Sequence, residues 1–184
     1  MRKNKNIDAT LHPLSNTPVQ AYFSNVVQVA DVLEWILNQV GEAEVWQTSF
    51  SISEEFIRRL YFIKKSGKVK NFNLLLDFKA TNKTLKLWSF ISQVIDKTYL
   101  ADNHSKILLV KSSNGNVVSV ITSQNLTRGN RYESAIITTD PDIFATLFSQ
   151  INSLITNHSI PLYDLIANTV RTNREISISL YGNI

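Results

Sequence analysis

Apolar positions recur along the chain with two periods, and the changes of period mark an alternation of helices and strands. Val26, Val29, Ala30, Leu33, Ile36, Leu37 and Val40 fall at helical spacing, with Gly41 placed as a stop. Residues 43–50 read as a strand. Ser51 stands three residues before Glu54, a capping-box spacing, and opens a helix that turns Phe56, Ile57, Leu60, Tyr61 and Ile63 inward and ends near Gly67. Residues 72–78 are almost continuously apolar, as in a strand covered on both faces. A third helix is predicted over 83–96, with Leu85, Trp88, Ile91 and Ile95 on one stripe.

Short strands are predicted at 98–100 and 106–111. Asn114-Gly115 is a hairpin signal, which makes 117–122 the partner of 106–111. Another strand is predicted at 134–139. Asp140-Pro141 then opens a helix with an acidic N-cap and proline at its first position. Its stripe is Ile143, Phe144, Leu147, Phe148, Ile151 and Leu154.

The order predicts a layered α/β fold, a mixed sheet flanked by helices, in a single domain. Residues 1–24, with His12-Pro13 and Thr17-Pro18, read as an irregular arm held by Leu11, Leu14, Tyr22 and Phe23. Residues 25–157 form the domain proper. Residues 158–184 form a short helix after Pro161 and a tail packed on it.

Composition narrows the chemistry. The chain has 184 residues, 43% hydrophobic and 18% charged, in the range of a globular domain. Cysteine is absent, which excludes disulfides, a thiolate nucleophile and sulfur-ligated zinc. His12, His104 and His158 are far apart in sequence and give no metal-ligand spacing. No metal or cofactor is expected. The basic start Met1-Arg2-Lys3-Asn4-Lys5-Asn6 has no apolar segment after it, and no stretch has the length of a membrane span. A soluble cytoplasmic protein with no membrane partner is expected. The net charge of +4 fits either plain solubility or affinity for a polyanion.

The candidate chemistry sits in His104-Ser105-Lys106, Ser123-Gln124-Asn125 and Glu133. His104 and Lys106 lie two residues apart at a strand start, so strand periodicity places them on one side. The hairpin returns Ser123 and Asn125 beside them. An imidazole, an ammonium and two neutral hydrogen-bonding groups around one point suit an anionic phosphoryl centre.

These residues resemble the phospholipase D superfamily motif, His-x-Lys, four residues, Asp, about six residues, then Gly-Ser-x-Asn. Here it stands as HSK at 104–106 and TSQN at 122–125, and the run to Glu133 is similar to the family's continuation. The resemblance covers roughly residues 99–139. Lys111 stands in place of the family's aspartate and Thr122 in place of its glycine, and the His104-to-Asn125 interval is about four residues longer. The extra length is expected at the hairpin tip.

The resemblance implies a metal-independent phosphodiesterase, with a nuclease acting on DNA or RNA favoured by the basic balance. It implies that His104 attacks phosphorus to give a phosphohistidine. Lys106 and Asn125, with Ser123, would hold the phosphoryl oxygens, and Glu133 would accept the other imidazole N–H. Arg128 and Arg131 flank the site as candidate phosphate contacts. Neither His12 nor His158 stands in a second His-x-Lys, so the second histidine is expected from a homodimer partner.

Plainer readings of the same residues stay open. Ser123 and Asn125 also suit strand-end caps, and Glu133 an ion-pair partner of Arg128 or Arg131. Lys64, Lys65, Lys68 and Lys70 suit a solvated helix end, and Trp35, Trp46 and Trp88 suit core positions. The competing function is a catalytically silent domain that binds nucleic acid or a protein, or a module working with other chains.

Overall fold

The computed structural model describes residues 7–168. The basic start at 1–6 and the predicted tail at 169–184 lie outside the described residues.

Residues 19–24, read as part of an irregular arm, instead form strand β1 (Val19–Ser24), which runs antiparallel to a later strand. Pro18 sits just before it, where a missing N–H costs no ladder bond. Helix α1 (Val29–Val40) starts three residues later than the apolar spacing predicts. The Ser24 hydroxyl accepts the N–H groups of Val26 and Val27 and holds a turn there. The Asp31 carboxylate then takes the N–H of Gln28, and Gly41 ends the helix with φ 81°.

Strand β2 (Ala43–Ser49) leads to helix α2 (Glu54–Lys65). Its cap is Ser53, whose hydroxyl accepts from Phe56 N. Ser51 is committed elsewhere, its carbonyl taking Leu126 N and the Ser49 hydroxyl. Phe56, Ile57, Leu60 and Ile63 are buried as expected, whereas Tyr61 faces solvent against Phe62.

Strand β3 (Val69–Asp77) carries the apolar run. The single helix expected over 83–96 is broken into a 3-10 turn (Phe78–Ala80), α3 (Thr81–Lys86) and α4 (Trp88–Val94). Asp77 caps the turn through Lys79 N, so helical structure begins early. The Thr84 hydroxyl bonds back to Ala80 O, a contact that bends helices, and the chain breaks at Leu87.

Strands β4 (Lys97–Ala101), β5 (Ile107–Ser112), β6 (Val117–Thr122) and β7 (Glu133–Thr138) follow. Helix α5 (Pro141–His158) is capped by Asp140, which accepts from Asp142 N and Ile143 N. Ile143, placed on its apolar stripe by the sequence, is exposed. A two-residue strand β8 (Ile160–Pro161) precedes helical residues 162–168, where Leu162 is buried.

One eight-stranded sheet results, in the order β1-β7-β6-β5-β2-β3-β4-β8. Strands β2, β3 and β4 are parallel, and the remaining pairs are antiparallel. One face meets α1, α2 and α4 in the main core around Leu33, Ile36, Leu60, Phe72 and Leu108. The other face meets α5 around Leu109, Phe144 and Ile151. Among the described residues no helix is long and apolar enough to cross a membrane.

Candidate active site

The mixed topology gathers loops at one end of the sheet. The C-terminal ends of β2, β3, β4 and β6 meet there, with the starts of β5 and β7, because Gln47 pairs Leu108, Ile107 pairs Ile121 and Ser24 pairs Glu133. All the motif residues lie at this end.

His104 and Lys106 occupy the loop between β4 and β5, one step before the strand on which the sequence places Lys106. Lys106 Nζ donates to the His104 carbonyl at 2.7 Å and lies 3.3 Å from His104 Nδ1. Loss of hydration pulls the Lys106 ammonium below the ordinary lysine range. The charges of Glu133 and Asp77 oppose that shift.

The loop is held from beneath by groups absent from the motif. Buried Asp77, at the end of β3, accepts Asn103 N at 3.0 Å. Asn103 Oδ1 takes Ser105 N and the Ser105 hydroxyl, while its amide donates to Ser49 O. The Thr48 and Ser105 hydroxyls share a 2.8 Å bond, and Thr48 Oγ1 accepts Ile107 N. This lattice fixes the backbone on both sides of His104. On the imidazole itself packs Phe50, ring centroids 5.2 Å apart.

Asn125 arrives from the β6 side. Its Oδ1 accepts Phe50 N at 3.2 Å and the Ser49 hydroxyl at 3.4 Å. An N–H facing the carboxamide must meet oxygen, so the NH2 half remains as the donor for a ligand. Between Ser123 and Asn125, Gln124 turns inward, is buried, and donates to Val27 O at 2.6 Å. Its Oε1 accepts from buried Tyr22, whose phenol pKa is raised by loss of hydration.

Glu133 does not meet His104 within the chain. It opens β7 beside the end of β6, so its carboxylate takes the Ser123 hydroxyl, which also accepts Ser134 N. The expected bond from imidazole N–H to Glu133 is therefore not made in the single subunit. Arg128 points away and pairs with Glu55 at 3.0 Å, both groups exposed. Arg131 is exposed, and no hydrogen bond or ion pair to it is seen among the described residues.

The departures from the motif have local explanations. Lys111 lies opposite Glu44 at the far end of β5, roughly 13 Å along the strand from Ile107 at about 3.3 Å per residue. The Thr122 hydroxyl donates to Ser134 O at 2.8 Å and accepts Gln124 N at 3.1 Å, so it closes the β6–β7 edge. The additional residues sit in the 113–116 turn, where Gly115 has φ 87°, also at the far end.

No family model and no curated protein matches the chain by sequence. Solved structures do. A phospholipase D family member, Nuc from Salmonella typhimurium, superposes with TM-score 0.60 at 15% identity, over 78% of this chain and 96% of that one. NucT from Helicobacter pylori gives 0.54 at 13%, over 76% and 98%. Polyphosphate kinase from Porphyromonas gingivalis gives 0.58 at 15%, over 94% of this chain but 35% of the kinase. The chain has the phospholipase D superfamily fold.

Proposed function

We propose that the protein is a metal-independent phosphodiesterase, a nuclease acting on DNA or RNA through a phosphohistidine at a site completed by a homodimer partner. The observation that carries this reading is the pairing of Lys106 Nζ with the His104 imidazole, 3.3 Å apart, at the sheet end where Asn125 presents its amide. Structural similarity to Nuc and NucT supports it.

An ammonium can only donate, so the resting contact uses the Nδ1 lone pair. Attack by Nε2 requires the proton on Nδ1. A bound phosphate draws Lys106 Nζ to its own oxygens and releases Nδ1 for that tautomer. Nε2 then forms the N–P bond as the P–O bond to the leaving oxygen breaks. Lys106, the Asn125 amide and Ser123 hold the non-bridging oxygens, with Arg128 and Arg131 available to the outer phosphates. His104 of the partner subunit, as imidazolium, protonates the leaving oxygen, then takes a proton from the water that hydrolyses the phosphohistidine. Glu133 keeps Lys106 charged and Ser123 oriented.

The test is cleavage of labelled single- and double-stranded DNA and RNA in excess EDTA, wild type beside His104→Ala. Cleavage that persists in EDTA and vanishes in the variant supports the reading. No cleavage of any of the four by folded protein overturns it in favour of a silent binding domain.

A further inference from the structure

The sheet face that carries α5 is only half covered. The α5 cluster extends to Ile107 and Val117. Beyond it, β6, β7 and β1 continue the same face without a layer above them. Register defines the row: Ile107 pairs Ile121, Ile121 pairs Ile136, and Ile136 pairs Ala21, so these side chains share one face. Val19 and Phe23, two residues either side of Ala21, join them.

The row is apolar and open. Ile121 is 45% exposed, Ile136 52%, Val19 61% and Phe23 71%. Tyr132, 62% exposed, stacks on Phe23 with centroids 5.0 Å apart. Exposed apolar surface of this continuity marks an interaction site. Ser134 and Thr138 complete the β7 side of the face, which holds no charged residue.

Resting on the phosphodiesterase reading, we infer that this β6–β7–β1 face, centred on Ile136 and the Phe23–Tyr132 stack, is the surface on which a second copy of the chain docks. Three observations select that occupant. The site holds a single imidazole, His104, while phosphoryl transfer needs an acid beside the nucleophile. The face runs directly into the site, since Ile121 is two residues from Ser123, and Phe23 pairs Ser134, whose N–H is on Ser123. A charge-free apolar face opposes its own copy across a two-fold axis without like-charge contacts. A dimer built there brings two His104 loops toward one axis.

The test reads assembly and is independent of activity. Sedimentation of the wild type, Ile136→Asp and Phe23→Lys is compared at equal concentration, with circular dichroism of each. Ile136→Asp places charge at the centre of the face; Phe23→Lys changes an edge-strand position already in water and keeps the test valid if the first variant fails to fold. The inference expects a wild-type dimer and a folded monomer for Phe23→Lys, with the dissociation constant raised at least 100-fold. A wild-type dimer unaffected in folded variants overturns this surface but leaves the phosphodiesterase reading intact. A wild-type monomer overturns the inference and leaves the face to a different partner. If the dimer behaves as expected yet cleaves nothing, the catalytic reading alone fails.

Discussion

The Phe50 ring packs on the His104 imidazole at 61° between planes, while the Phe50 N–H is held by Asn125 Oδ1. One residue thus couples the proposed nucleophile to the group proposed to hold the phosphoryl oxygen, though it belongs to neither half of the motif.

Phe50→Ala frees His104 to rotate and loosens the loop that receives Asn125. The expected loss is about 10- to 100-fold in kcat with little change in KM, since misplacement of a reacting group acts on the chemical step. Phe50→Leu should restore most of the rate. Steady-state kinetics of the two variants check this; equal kcat in wild type and Phe50→Ala would remove Phe50 from the account.

Lys106 sets the alkaline limit. Its folded pKa lies below the ordinary lysine value of 10.5, chiefly through lost hydration. The cation that holds phosphate is therefore lost earlier than for a free lysine, and kcat/KM falls as pH rises through a value under 10.5. Glu133 supports the charge, so Glu133→Gln shifts the limb to lower pH. Lys106→Arg abolishes the limb because a guanidinium stays charged. A pH–rate profile for the three proteins decides the assignment.

Asp77 carries the loop from below. Its buried carboxylate accepts Asn103 N at 3.0 Å and Lys79 N at 2.7 Å. Asp77→Ala leaves two donors unsatisfied, at about 1–3 kcal/mol each, so urea unfolding should show a loss of about 2–4 kcal/mol. Asp77→Asn, with one carboxamide oxygen, should lose less. Amide shifts of Asn103 and Ser105 should move in both variants if the bond positions the His104 loop.

Much of this architecture is legible in the sequence where one period dominates. The parallel strands, the 106–122 hairpin and α5 follow from apolar runs, Asn114-Gly115 and Asp140-Pro141. The failures come from side chains bonding to nearby backbone: Ser24 delays α1, Ser53 displaces Ser51 as cap, and Thr84 with Asp77 breaks the third helix. Strand β1 was hidden because Thr17-Pro18 signals a turn, while its pairing with β7 joins residues more than a hundred positions apart. The motif residues are visible as a pattern. Asp77, Asn103 and Phe50 are not, because only the sheet order brings three separate strand ends under His104.

The central claim is that His104 carries the phosphoryl group. Acid-sensitive trapping on an oligonucleotide labelled at its internal phosphates, quenched in alkali during turnover in EDTA, tests this most directly. The account predicts an alkali-stable, acid-labile label on the peptide containing His104, absent from His104→Ala. Turnover with no label on that peptide at any quench time would contradict it.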